Sequence, residues 1–159
     1  MAVHKIQLED FDQVDYNLIA IHTALEDYRL AFKINQKLTI SLTKNECEIP
    51  FEVNKKKASF SRFTFDDEEK MMLWDLIQNK QEIEMFFQTS AENLFGNKNV
   101  TSQINLVSEL KKVDYFLKIE HNDQIKIKDI ISEINKIDAV STVYEVNAKE
   151  IKSKNNLIF

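Results

Sequence analysis

The sequence predicts a single α+β domain over residues 1–159, with a largely antiparallel sheet and two strand-helix-strand units. Three observations predict it. The tripeptide Val-Asp-Tyr occurs at residues 14–16 and again at 113–115, and each copy opens an apolar run of strand character. A helix-patterned segment follows each run. Between the two lies a long stretch of short alternating segments that reads as an antiparallel meander. In one register Val14, Asp15, Tyr16, Leu18 and His22 coincide with Val113, Asp114, Tyr115, Leu117 and His121.

The elements follow in order. Residues 15–22 alternate, with Tyr16, Leu18, Ala20 and His22 on one side and Ile19 and Ile21 on the other, so this strand is expected to be covered on both faces. Thr23-Ala24-Leu25-Glu26 matches a capping box and places a helix at about 24–36, with Leu25, Tyr28, Ala31 and Phe32 inward. Strands are expected at 38–43, 48–53, 58–65, 70–78 and 82–88, with an acidic turn at Asp66-Asp67-Glu68-Glu69 and a weak turn at Asn79-Lys80. Residues 89–103 are polar and read as a long surface loop. A strand at 113–120 then leads to Asn122-Asp123, a helix start. Ile127, Ile130, Ile131, Ile134 and Ile137 keep helical spacing, and Val140 to Val146 closes with a strand.

Composition narrows the function classes. Hydrophobic residues form 43% of the chain and charged residues 30%, enough for a core that needs no disulfide or metal. The lone Cys47 cannot form an internal bridge, and a reducing, cytoplasmic compartment is the matching expectation. The net charge is −5, and only Arg29 and Arg62 among the basic residues are arginine, which argues against a broad nucleic-acid surface. No apolar run reaches the ~18 residues of a membrane span. With one Gly and one Pro, where an average chain of this length carries about eleven and about eight, Gly-rich phosphate cradles are excluded by count. Asn and Asp are then expected to make the turns.

The candidate site residues are the repeated ones. Asp15 and Tyr16, with Asp114 and Tyr115, form two related half-sites in which Asp accepts hydrogen bonds and Tyr stacks or donates one. The bland alternative makes each Tyr a core residue and each Asp an acceptor for backbone N–H groups, and it is favoured because a buried Tyr usually serves packing. His22 and His121 end the two runs and would approach each other if the units packed side by side. Two histidines without Cys or a spaced carboxylate make a poor metal signal, so no metal or cofactor is read. The densest basic run, Lys55-Lys56-Lys57, reads as a solvated loop. Leu157, Ile158 and Phe159 are apolar enough to dock on a partner or on the domain itself. No spacing marks a nucleophile triad.

Taken together, these blocks resemble the small bacterial IPExxVDY family. The residues that carry the resemblance are Ala2 to Lys5, Val14 to His22, Leu25 to Ala31, Lys112 to Ile119 and Lys152 to Phe159. Ser108, Glu109 and Leu110 stand at the Ile-Pro-Glu positions, so the naming motif is kept only in its Val-Asp-Tyr half. The family carries no assigned activity, and the resemblance implies identity rather than mechanism.

The element order allows a ferredoxin-like or ACT-like local topology. The leading functional expectation is a non-enzymatic interaction or regulatory module, acting through a protein partner or a homo-oligomer. A small-molecule sensor with a ligand between the two Val-Asp-Tyr units is the second. An accessory factor in RNA metabolism, using Lys55 to Lys57 and the Lys-rich tail, is the third.

Overall fold

The computed structural model describes residues 15–86, 99–122 and 125–159. The strands are β1 (Tyr16–Thr23), β2 (Thr43–Lys44), β3 (Ile49–Val53), β4 (Lys56–Phe60), β5 (Arg62–Asp67), β6 (Met72–Gln78), β7 (Lys80–Phe86), β8 (Asn99–Asn105), β9 (Tyr115–His121) and β10 (Val140–Val146). Helices α1 (Asp27–Leu38) and α2 (Ile127–Asn135) follow β1 and β9. Six strands form one sheet in the order β10-β1-β9-β6-β5-β2, and every neighbouring pair is antiparallel. The pairs β3-β4 and β7-β8 are separate hairpins.

Within that sheet, β10-β1-β9-β6 has the fourth-first-third-second order of a split β-α-β arrangement, the α+β topology the repeat foreshadows. The two Val-Asp-Tyr strands are its central neighbours. Leu18, Ile19, Ala20 and Ile21 have no exposed surface, because both faces of β1 are covered. Ile19, Ile21, Leu117 and Ile119 pack under the helices with Leu30 and Ile134. Leu18, Ala20 and Phe116 pack on the opposite side against Phe60, Ile104 and Leu157, which belong to the hairpins and the final segment. A sheet buried on both faces explains why β1 reads as a continuous apolar run rather than a clean alternation.

Several expectations are corrected. Helix α1 begins at Asp27, not at 24, because Thr23 is the last residue of β1 and its hydroxyl is engaged elsewhere. Thr23 Oγ1 accepts from Leu25 N at 3.1 Å and donates to the Ala139 carbonyl at 2.8 Å, so no capping box forms. The later start rotates the buried stripe to Leu30, Ala31 and Ile34, and leaves Tyr28 and Phe32 more than half exposed. Of the strand expected at 38–43 only Thr43 is in a strand, β2; Leu38 ends the helix and 39–42 form a connection. Asn35 holds that connection by donating to the Leu42 carbonyl and accepting from its N–H. The strand expected at 58–65 breaks at Ser61 as the chain passes from hairpin to main sheet, and Asp66 and Asp67 belong to β5 rather than to a turn.

Asn79-Lys80 is no hairpin turn either: β6 lies in the main sheet and β7 in its own hairpin, so the chain changes layer there. Of the expected loop, residues 99–103 form part of β8, and 89–98 lie outside the described residues. Helix α2 begins at Ile127, and Asp123 of its expected start is likewise outside them. Asn and Asp do not make the special turns alone. Thr39, Lys55, Met71 and Ala139 join Asn54 at positive φ, a conformation that costs a non-Gly residue roughly 1–2 kcal/mol.

Candidate functional site

The antiparallel register decides what the repeated residues can do. Tyr16 stands opposite Glu120, and Tyr115 opposite Ile21. The two tyrosines are therefore five positions apart along β1, roughly 17 Å at the rise of a strand. The histidines do not approach each other, because each closes the end at which the other unit opens. The six residues fall into two groups at opposite ends of the β1-β9 pair, not into one groove.

At one end stand His22, Asp114 and Tyr115. Asp114 accepts from Thr23 N at 2.9 Å and from Lys80 Nζ at 2.6 Å. Tyr115 is buried under the helices and donates to the Leu25 carbonyl at 2.9 Å. Burial and the nearby Asp27, Asp114 and Glu26 carboxylates push its phenol up to about 12. These contacts tie β9 to the β1-α1 connection. Around them lies only a shallow space of about 100 Å³.

At the other end stand Asp15, Tyr16 and His121. Asp15 is exposed just ahead of β1, and Tyr16 is half-buried. Burial, and then the Glu120 carboxylate, raises the Tyr16 phenol above its ordinary range. His121 Nε2 and Asn17 Oδ1 lie 2.5 Å apart, and Asn17 Nδ2 donates to Glu145 Oε1 at 2.7 Å. That chain of contacts crosses β9, β1 and β10 on the helix side of the sheet. On the opposite side His22 stacks on Tyr144, with ring centroids 5.7 Å apart.

Both histidine-bearing ends thus lead to the strand β10, which sequence reading treated only as the closing strand. It is the edge of the main sheet. Ser141, Thr142, Tyr144 and Glu145 are all exposed. The register with β1 skips Ser141, because His22 faces Thr142 and Thr23 faces Val140, so the strand bulges at its start. From Thr142 to Val146 the edge is regular and carries neither Lys nor Pro; Glu145 is its one charge, and the bulge lies ahead of it. Two open depressions flank Glu145. One, about 320 Å³, includes Tyr16, Asn17, Val146 and Lys149; the other, about 500 Å³, includes Ile125, Ile127 and Lys128. The opposite edge of the sheet, β2, has only two residues. The signal available in the sequence was the run Thr-Val-Tyr-Glu-Val, rich in strand formers, at the end of the fold.

Leu157, Ile158 and Phe159 divide. Leu157 is fully buried in the hairpin-side core, Ile158 is 71% exposed, and Phe159 lies over Arg62 and Lys118. Of the Lys55-Lys56-Lys57 run, expected as a loop, only Lys55 lies in the β3-β4 turn, where it and Asn54 take positive φ; Lys56 and Lys57 open β4, opposite Val53 and Glu52. Among the described residues no cluster of three His, Cys, Asp or Glu could hold a metal ion, and no helix is long and apolar enough to cross a membrane. No protein-family model, curated protein or solved structure matches the chain.

Proposed function

We propose that this protein is a non-enzymatic interaction module that adds a β-strand, supplied by a second copy of the chain, to the open edge of β10. The observation that carries the reading is the regular edge stretch from Thr142 to Val146, with Thr142, Tyr144 and Glu145 exposed and neither Lys nor Pro in it. An edge strand offers a row of backbone donors and acceptors, and added strands bind through them. An antiparallel pairing centred on Tyr144 sets Tyr144 against its own copy and Glu145 against Val143, with no like charges opposite. Membership of the IPExxVDY family and a cytoplasmic location belong to the same proposal, supported by the repeated Val-Asp-Tyr blocks and the single cysteine.

Sedimentation velocity from micromolar to millimolar protein tests it. The wild type is expected to dimerise, and Thr142→Lys with Tyr144→Lys is expected to stay monomeric with an unchanged circular dichroism spectrum. A wild type that remains monomeric throughout, or a folded double variant that still dimerises, overturns the reading.

A further inference from the structure

The hairpin side of the main sheet carries charge where a core would be expected. Thr64, Asp75 and Lys118 sit side by side on β5, β6 and β9. Asp75 is 1% exposed and Lys118 4%. Arg62 Nε and Thr64 Oγ1 both donate to Asp75 Oδ1, at 2.8 and 2.9 Å. Lys118 Nζ lies 2.6 Å from Glu120 Oε1. The other Asp75 oxygen, Oδ2, is buried without a hydrogen-bond partner. Buried polar atoms are nearly always satisfied, so an orphaned carboxylate oxygen calls for an explanation.

An aromatic ring lies over this cluster. The Phe159 centroid is 4.1 Å from Arg62 Cζ and 4.9 Å from Lys118 Nζ. The Lys118 ammonium is also 4.9 Å from the centre of the Tyr16 ring, so it is shared by two aromatic faces. Leu157 anchors the segment, but Phe159 itself is 43% exposed and Ile158 more so.

We propose that Arg62, Asp75, Lys118 and Tyr16 form a binding site for a neutral aromatic ring bearing one hydrogen-bond donor, such as a phenol, and that Phe159 occupies it as a tethered plug. The charges of Arg62, Lys118, Asp75 and Glu120 cancel, which removes any net pull on an ion. Two cations at 4.1 and 4.9 Å from one ring centroid favour a π-system. The phenyl ring of Phe159 brings no donor, and the carboxylate that Arg62 holds keeps its Oδ2 unpartnered; a phenolic O–H at the ring edge would supply that bond. A tethered ring has a high effective concentration, so an outside ring binds weakly until the plug is removed.

The test uses the full chain with Phe159→Gly and titrates p-cresol against toluene, followed by amide shifts at Tyr16, Asp75 and Lys118. The variant is expected to bind p-cresol at least about tenfold more tightly than the wild type does, and toluene more weakly than p-cresol. A folded variant that binds no p-cresol, or binds toluene equally well, overturns the proposal. If Phe159→Gly does not fold, the wild type at saturating p-cresol decides: the Phe159 ring resonances move if the plug is displaced and stay fixed if it is not.

Discussion

Asn79→Ala is the sharpest test of how the second Val-Asp-Tyr unit is held. Asn79 has no exposed surface. Its Nδ2 donates to the carbonyls of Leu110 and Val113, both at 2.9 Å, and its Oδ1 accepts from Val107 N at 2.9 Å. Its backbone N–H donates to the Asp114 carbonyl, and its own carbonyl accepts from Leu106 N. One side chain therefore braces the whole crossing from β8 to β9. Alanine removes three hydrogen bonds worth about 1 kcal/mol each in net terms, and leaves the Val107 N–H and the Val113 carbonyl without the partner each has now. Leu110 is better placed, because its carbonyl still accepts from Val113 N. With about 1–3 kcal/mol for each orphaned group partly overlapping that sum, the expected loss is about 3–5 kcal/mol. That is a large part of the ~5–15 kcal/mol that stabilises a domain. Urea unfolding measures it as a fall in the midpoint at constant slope. Asn79→Asp is expected to be at least as damaging at neutral pH, since it turns a carboxylate oxygen toward two carbonyls. A loss below ~1 kcal/mol for the alanine variant would refute the account, because it would mean that the crossing is held by something else.

Two further outcomes follow from titrating groups. Glu109 accepts from Ser153 N and Ser153 Oγ and from Ser108 Oγ, and the Ser153 hydroxyl leads the causes that hold its carboxyl down at about 2. A depressed carboxyl stabilises above its unfolded value near ~4.3 and loses that contribution as pH falls toward about 2; the site is exposed, so the effect is small and local. A loss of protection at the Ser153 amide on acidification, relative to the intrinsic exchange rate at each pH and absent in Glu109→Gln, is the expected signature, and unchanged protection argues against the clamp. Tyr115 is expected to resist ionisation to about 12, read as a late phenolate absorbance step that Tyr115→Phe removes. Its raised value gives stability that is complete below ~10 and is lost as pH rises from there toward about 12, so alkaline unfolding should begin in that window.

The fold was largely legible because it rests on local patterns. The two apolar runs, the isoleucine stripe of α2 and the β10 segment each carry a period that solvent and core enforce, and all four stand where the residues put them. What failed depended on tertiary contacts. Thr23 has the composition of a helix cap, but its hydroxyl donates to Ala139 across the sheet and caps nothing. Phe32 has the spacing of a core residue, yet the helix start three residues later turns it outward. Ser61 looks like the interior of one strand, but the chain must leave a hairpin there to enter the main sheet, and no local preference records a change of layer.

The repeat was legible in the sequence, but neither its geometry nor the β10 edge was. Repetition singled out Asp15, Tyr16 and His22 with Asp114, Tyr115 and His121, and each group holds a defined position. A tandem match in sequence, however, carries no strand direction. Parallel neighbours would have gathered the pairs at one end; antiparallel pairing crosses them, so that each Val-Asp-Tyr meets the histidine end of the other. The same crossing sends both histidine ends toward β10, through the His121-Asn17-Glu145 chain on one face and the His22-Tyr144 stack on the other. The repeat is therefore best understood as the scaffold that stiffens an open edge from both sides. An edge held by packed neighbours loses less freedom when a strand is added than a frayed one does, and this is why the run from Thr142 to Val146 is the surface to perturb first.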